Sequence, residues 1–298
     1  MELAGRLRGI LPPLVTPFTS EGALERAAFE RNLEAYAETG LAGYLVLGSN
    51  GEASALEEAE KLELVQAARR LARGKPLLVG AGLESTRATI ALVRKLANAG
   101  ADAVLVLPPF YFRARMTDEA LLRHFEAIAE AAPVPVLLYS VPAVTGSSLS
   151  PGLVTTLSQH PNVVGIKESS GDVALLGRIA AATASSFATV CGSGPVIYPA
   201  LCVGARAGIL AVACCCPRQS VALFEAHHSG DHARARRLQQ ALLPLAAAVT
   251  SGHGVAGLKA AMDLAGFSGG AVRAPLLAVQ DRVREELRAL LVQAQAAA

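Results

Sequence analysis

The sequence predicts an α/β protein, a (β/α)8 barrel followed by a C-terminal extension of three helices. Short apolar runs alternate with longer helical segments, there are eight such runs, and 298 residues suit one barrel with some added helices. The alternative is a doubly wound open sheet, which requires a Gly-rich dinucleotide turn after its first strand. The first strand instead ends in Thr16-Pro17-Phe18-Thr19, which favours the barrel.

The eight predicted strands are brief, β-rich and bounded by Gly or Pro, as parallel strands buried on both faces are. Aromatic residues make up only 4% of the chain and Trp is absent, so Ala, Leu, Val and Gly must fill the core. The predicted strands cover residues 10–15, 44–47, 77–79, 103–107, 134–139, 163–166, 188–191 and 208–212.

Helix-start signals lie between these strands. Ser85 is a candidate N-cap, Thr117 precedes two acidic residues, and Ser150 precedes a Pro at the first helical position. After the eighth unit, helices are predicted over residues 231–249, 254–264 and 275–293. We therefore expect residues 1–226 to form the barrel with the active site, and residues 227–298 to form a helical extension packed on the same globule.

Composition excludes several classes of function. Lys and Arg outnumber Asp and Glu by only two, and the densest basic cluster, residues 232–237, is typical of a solvated helix face, so no nucleic acid partner is expected. No apolar stretch is long enough to span a membrane, and the N-terminus lacks the apolar core of a signal peptide. The expectation is a cytoplasmic protein.

The cysteines and histidines do not suggest a metal site. Five Cys, three of them adjacent, fit neither a disulfide framework nor zinc spacing, and we interpret them as reduced, small, buried residues. The six His do not fall at strand ends, and His124 and His253 are expected on helix surfaces or loops. The sequence therefore predicts no metal.

In barrel enzymes the active site lies at the carboxyl ends of the strands. Lys167 directly follows the apolar run 163–166 and should project into the barrel mouth. Burial lowers the pKa of a lysine amine, and a neutral amine can attack a ketone carbon. The alternative is a structural lysine paired with Glu52 or Glu168.

Tyr139 ends the neighbouring strand, where its hydroxyl could transfer protons at the amine and the substrate carbonyl. The alternative is a core tyrosine with a satisfied hydroxyl. The run 48–51 (Gly-Ser-Asn-Gly) offers adjacent backbone N–H groups suited to a carboxylate, although it is also an ordinary turn.

Four motifs together resemble the dihydrodipicolinate synthase / N-acetylneuraminate lyase family over residues 9–276. They are Gly-Ser-Asn-Gly-Glu at 48–52, Tyr-Ser-Val-Pro at 139–142, Gly-Ile-Lys-Glu at 165–168, and Gly-Leu-Lys…Gly-Gly…Arg-Ala-Pro-Leu at 257–276. Within that family the chain is most similar to the 4-hydroxy-2-oxoglutarate aldolases, because Ser-Asn replaces the Thr-Thr that is usual in the synthases at the first motif.

The resemblance implies a class I aldolase in which Lys167 forms an imine with the keto carbon of pyruvate. Tyr139 would transfer protons in a relay with Ser49 and with Tyr111, which would reach in from the adjacent subunit of a homotetramer. No cofactor would be needed. The residues implied to bind substrate are Ser49 and Asn50 at the carboxylate, with Ser169, Gly192 and Leu210 lining the pocket.

One departure bears on the substrate, a small 2-oxo acid. The synthases carry an Arg shortly after the second motif, but here Val144 takes that place and no Arg occurs between Pro142 and Gly152. Arg113 or Arg115 could substitute for it. We expect cleavage of 4-hydroxy-2-oxoglutarate to pyruvate and glyoxylate. The alternatives are 4-hydroxy-tetrahydrodipicolinate synthase, a sugar-acid aldolase, or a non-catalytic binding barrel, which the presence of the catalytic residues disfavours.

Overall fold

The computed structural model describes residues 3–296 and contains one eight-stranded, all-parallel sheet. The strands follow in sequence order around the sheet: β2 to β8 each pair in parallel with their chain neighbours, and β8 also pairs in parallel with β1. The strands are β1 (Gly9–Leu11), β2 (Tyr44–Val46), β3 (Leu77–Gly80), β4 (Ala103–Val106), β5 (Val136–Ser140), β6 (Val163–Glu168), β7 (Ala188–Cys191) and β8 (Ala207–Ile209).

The sheet closes into a barrel because β1 pairs with β8 and its continuation reaches β2. Beyond β1, the Leu45 N–H donates to the Pro12 carbonyl and the Leu14 N–H donates to the Leu45 carbonyl. Pro12 and Pro13 have no N–H to donate, so β1 ends earlier than the sequence predicts although the chain stays extended beside β2. The predicted barrel is confirmed.

Helices cover the outer face of the barrel and extend it at the C-terminus. The helices are α1 (Leu3–Arg6), α2 (Arg26–Tyr36), α3 (Glu58–Leu71), α4 (Thr86–Asn98), α5 (Asp118–Ala131), α6 (Pro142–Thr145), α7 (Pro151–Leu157), α8 (Val173–Ala182), α9 (Ile197–Cys202), α10 (Pro217–His228), α11 (His232–Ala247), α12 (Gly254–Leu264) and α13 (Asp281–Gln295).

Local chemistry accounts for most of the helix starts. Ser85, the predicted N-cap of α4, accepts a hydrogen bond from a first-turn N–H, and Thr117 and Ser150 do the same at the predicted starts of α5 and α7. The last helix begins at Asp281 instead of residue 275, because the Leu276 N–H turns back to the Arg273 carbonyl and helical bonding starts at Gln280. The C-terminal helices are confirmed, while the domain boundary at residue 226 stays a prediction.

The register between β5 and β6 has one irregularity that positions the site. Val136 pairs with Val163 but Leu137 pairs with Gly165, so Val164 has no counterpart on β5. This extra residue is a β-bulge, which shifts the pairing of everything that follows. As a result Tyr139 lies opposite Lys167.

Hydrophobic residues fill both the barrel interior and the layer between strands and helices. The interior set includes Leu45, Leu105, Leu137 and Val190, all nearly inaccessible to solvent. Among residues 3–296, no helix combines the length and the apolar character that crossing a bilayer requires.

Candidate active site

Lys167 and Tyr139 form a buried pair at the carboxyl ends of β6 and β5. The Lys167 Nζ donates to the Tyr139 hydroxyl oxygen at 3.3 Å and lies 4.3 Å from the centre of its ring. The two side chains are only 4% and 5% exposed. An amine that could act as a nucleophile and a phenol that could transfer protons therefore lie within reach of each other in the buried barrel mouth.

The environment of Tyr139 favours its ionised form. Burial by itself raises the pKa of the phenol, but the charge of Lys167 and the hydroxyls of Ser49 and Ser169 outweigh it, so the pKa is lowered. A phenol with a lowered pKa gives up and recovers a proton more readily near neutral pH. The structure thus brings three other predicted residues, Tyr139, Ser49 and Ser169, close to Lys167.

Because Gly192 has no side chain, it leaves room for the side chains of Ser169 and Lys167. A Cβ at this position would lie 1.8 Å from the Ser169 Oγ and 3.0 Å from the Lys167 Cε. The Gly192 N–H donates to the Glu168 carbonyl at 2.7 Å, which fixes the backbone there. Any side chain at residue 192 would displace the serine hydroxyl and press on the lysine.

The turn after β2 presents Ser49 and Asn50 to the mouth. Ser49–Gly51 forms a 3-10 turn between Leu47 and Glu52, which both adopt the left-handed conformation with φ of 58° and 51°. Such strained residues persist only where neighbouring structure holds them. One support is the Thr16 hydroxyl, which donates to the Gly51 carbonyl at 2.7 Å.

A buried ion pair provides the stronger support. The Glu52 carboxylate lies 2.5 Å from the Lys259 Nζ, and its second oxygen accepts from the Arg273 N–H at 2.9 Å. The Arg273 guanidinium in turn binds both oxygens of Glu60. From the sequence alone, Lys259 and Arg273 are only letters of one motif and Glu52 is only a possible partner of Lys167, because nothing in the spacing shows that α12 and the segment after it meet the turn after β2.

The carboxylate pairing that the structural alternative for Lys167 requires is not formed. Glu52 pairs with Lys259, and the Glu168 carboxylate accepts from the Ser170 N–H at 3.0 Å. Burial raises the pKa of Glu168 although the Ser170 hydrogen bonds lower it. Within the described part of the chain Lys167 has no carboxylate partner, so its amine stays available for a substrate.

Tyr111 and Leu210 are predicted site residues for which the described contacts within one chain show no link to the Lys167 amine. Tyr111 is 78% exposed and packs edge-on against Phe112, while its N–H donates to Glu84. Its role across a subunit interface therefore stays a prediction. Leu210 follows β8 and is buried in the hydrophobic core, and its place on the pocket wall likewise stays a prediction.

Near Val144 the rim of the barrel carries the cationic side chain of Arg113, which lies in the segment after β4. Val144 lies in α6 with half of its surface exposed, and Gly146 follows it in the left-handed conformation. A Cβ on Gly146 would lie 2.2 Å from a guanidinium nitrogen of Arg113. The Arg113 side chain is therefore packed against the position where the sequence lacks an Arg.

One histidine lies elsewhere than expected. His124 is only 6% exposed between α4 and α5, and one ring nitrogen hydrogen-bonds to the Thr86 hydroxyl at 2.8 Å. Burial lowers its pKa to about 4, against a smaller opposite effect of Glu84. The expectation of a surface histidine was wrong, because the helix face that carries His124 also carries the buried residues Phe125 and Ile128.

Comparison with known proteins agrees with this geometry. Residues 6–294 match the Dihydrodipicolinate synthetase family. The chain belongs to this family. A 4-hydroxy-tetrahydrodipicolinate synthase of Methanoculleus marisnigri is 36% identical over 95% of this chain and 98% of its own length.

Two solved structures show the same relationship. Dihydrodipicolinate synthase from Thermotoga maritima matches with a TM-score of 0.93 and 32% identity, over 97% of this chain and 99% of that one. YagE, a prophage protein of E. coli K12 solved in complex with pyruvate, matches with a TM-score of 0.90 and 32% identity, over 97% and 98%. This member of the dihydrodipicolinate synthetase family is a Schiff-base, pyruvate-dependent lyase.

Proposed function

We propose that Lys167 is the Schiff-base nucleophile and that the protein cleaves 4-hydroxy-2-oxoglutarate to pyruvate and glyoxylate. The observation that carries the proposal is the buried Lys167–Tyr139 contact of 3.3 Å at neighbouring strand ends. A neutral amine attacks C2 of the substrate, water leaves, and a protonated imine forms that accepts electrons from the C3–C4 bond.

Tyr139 handles the protons of these steps. As the phenolate it takes the proton of the C4 hydroxyl, so that the C3–C4 bond breaks and glyoxylate departs. The remaining enamine takes a proton at C3, and hydrolysis of the imine releases pyruvate and restores the lysine. The hydroxyls of Ser49 and Ser169 lie close to the phenol, and in this proposal they would extend the relay once substrate is bound.

The turn after β2 is suited to hold the C1 carboxylate of the substrate. The hydrogen bonds within this turn use the N–H groups of Gly51 and Glu52. The amides of Ser49 and Asn50 precede them and, as at the start of any helical turn, are left for another acceptor. Adjacent backbone N–H groups bind an anion without a full positive charge.

A second candidate is 4-hydroxy-tetrahydrodipicolinate synthase, which the name of the Methanoculleus relative favours. The two activities share the pyruvate imine and differ in the second substrate. The Ser-Asn pair of the first motif supports the aldolase, whereas Arg113, packed against Gly146, could serve a carboxylate of either second substrate. We further propose a homotetramer, which brings Tyr111 to a neighbouring site.

Borohydride reduction in the presence of pyruvate tests the imine, and peptide mapping locates the adduct. The expected result is one pyruvyl adduct on Lys167, absent from Lys167→Ala and retained in Lys95→Ala, an exposed lysine paired with Glu58. Glyoxylate release from 4-hydroxy-2-oxoglutarate by the same preparation tests the substrate. An adduct without cleavage rejects the substrate and keeps the class; absence of an adduct rejects Lys167.

A further inference from the structure

Three potential metal ligands meet on the outer face of the barrel, away from Lys167. Cys202 ends α9, His227 lies in the last turn of α10, and His232 begins α11. One sulfur and two ring nitrogens of these residues all lie within 4.8 Å of one another. The sequence gives no sign of this cluster, since the cysteine is far from the histidines along the chain.

We infer that Cys202, His227 and His232 form a binding site for a borderline-soft divalent cation of the Zn²⁺ type. A thiolate and two imidazoles are ligands that zinc prefers, and three protein ligands leave the fourth tetrahedral position to water. The ion would tie α9 to the turn between α10 and α11.

The separations fit this ion after small side-chain rotations. At the usual Zn–S and Zn–N bond lengths, tetrahedral ligands lie roughly 3.3–3.6 Å apart. Closing from 4.8 Å therefore requires movements of about 1 Å. Cys202 and His232 are exposed and His227 is half-buried, so their side chains have room to rotate.

The surroundings of the cluster include one aromatic ring and one positive charge. The Tyr198 ring lies 6.2 Å from the rings of both His227 and His232. Arg236 adds a positive charge near Tyr198. Because this charge opposes a bound cation, the site depends on a thiolate at Cys202.

The neighbouring residues provide a matched control for each kind of ligand. His228 is adjacent to His227 but faces the other way, stacking on Phe224 and contacting the Arg8 guanidinium. The other four cysteines are buried, so Cys202 is the exposed thiol among the described residues. Cys202→Ser therefore removes a proposed ligand, whereas His228→Asn changes a neighbouring residue outside the cluster and serves as the control.

Titration of the chelator-treated, tag-free protein with Co²⁺ tests the site, with Zn²⁺ displacing Co²⁺ as the second step. The expected result is one ion per chain and a sulfur-to-cobalt charge-transfer band that Cys202→Ser removes. His232→Asn should weaken binding at least about tenfold, while His228→Asn should leave it within about twofold.

Pyruvate lyase activity serves as the folding control, because Cys202 lies outside the catalytic machinery. Cys202→Ser should keep that activity unchanged. The site would be overturned, and an adventitious ion only indicated, if the charge-transfer band survives in Cys202→Ser or if His228→Asn and His232→Asn weaken binding equally. Absence of any band would also overturn the site.

Discussion

Glu52 and Lys259 form a fully buried ion pair, with 2.5 Å between carboxylate and amine, that joins the Ser49–Gly51 turn after β2 to helix α12. Burial lowers the pKa of Lys259, and the hydrogen bond to Glu52 opposes that shift. The pair has an additional acceptor in the Ala271 carbonyl, 2.6 Å from the Lys259 Nζ. The conformation of the Ser49–Gly51 turn therefore depends on residues more than two hundred positions further along the chain.

Glu52→Gln should destabilise the fold, because it leaves the Lys259 ammonium buried without a counter-charge. Breaking such a pair on one side lowers the free energy of unfolding by about 3–5 kcal/mol. Urea denaturation measures it. Glu119→Gln, at an exposed pair with Arg123, is the control and should change the midpoint far less. Equal effects of the two substitutions would refute the buried pair.

Tyr139→Phe should reduce turnover about 10²–10⁴-fold, since it removes the proton-transfer hydroxyl and leaves the ring in place. The rate of adduct trapping with borohydride should fall with it, while urea stability changes little. Tyr44→Phe, a buried tyrosine on β2, is the matched control. Normal turnover in Tyr139→Phe would remove this residue from the mechanism.

Gly192→Ala should impair pyruvate binding and imine formation together. The new Cβ would overlap the Ser169 Oγ and contact the Lys167 Cε, so both side chains must move. We expect kcat/KM to fall at least about tenfold, because small misplacements of reacting groups have large effects. Gly152→Ala, where the Cβ meets only the Ser150 Oγ at 3.9 Å, should be neutral; an unaffected Gly192→Ala would contradict the geometry.

Tyr111 offers a test of the proposed subunit interface. Tyr111→Phe and Lys167→Ala should each be inactive or strongly impaired as pure proteins. If Tyr111 serves the neighbouring site, subunits mixed after reversible dissociation regain activity, because some mixed sites combine an intact Lys167 with an intact Tyr111. Activity of the mixture that equals the average of the two parents would exclude a shared site.

Because His124 is buried, the free energy of unfolding should decrease at acidic pH. Its pKa in the folded protein is about 4. The unfolded chain has the ordinary value of about 6.5, so below that pH it binds a proton that the folded chain rejects. This contribution to stability is intact above about pH 6.5 and falls as the pH drops towards 4, by about 2 kcal/mol between pH 7 and pH 5.

Stability measured by urea denaturation at those two pH values checks the sign of the effect. His124→Gln lacks the titrating ring, so its loss of stability on acidification should be smaller than that of the unsubstituted protein by the same amount. His160→Gln, at a histidine that is more exposed, is the control. An identical pH dependence in all three proteins would show that His124 does not titrate as inferred.

The sequence predicted the barrel, and the position of Lys167 and Tyr139 at its mouth, for physical reasons. Buried parallel strands are short apolar runs, and the barrel rule then assigns the polar residue after each run to the mouth. Lys167 and Tyr139 follow directly from that rule. Strand ends were less accurate: β6 continues through Glu168, beyond the apolar run, because backbone pairing with β5 and β7 extends past its hydrophobic residues.

Contacts between distant segments could not be predicted in this way. No periodicity connects Glu52 with Lys259, and no metal spacing connects Cys202 with His232, since each pair meets only after the barrel has closed and the C-terminal helices have packed. Burial of His124 was missed for a related reason. The apolar face of α5 is wide enough to include a histidine whose polar partner, Thr86, comes from α4.

The extra residue at the Val164 bulge determines which residue of β6 lies opposite Tyr139. With regular pairing from Val136 and Val163 onward, Tyr139 would lie opposite Ile166, and the lysine would be one step out of line. Deleting residue 164 would therefore move Lys167 out of line with Tyr139, whereas a substitution at that residue keeps the register.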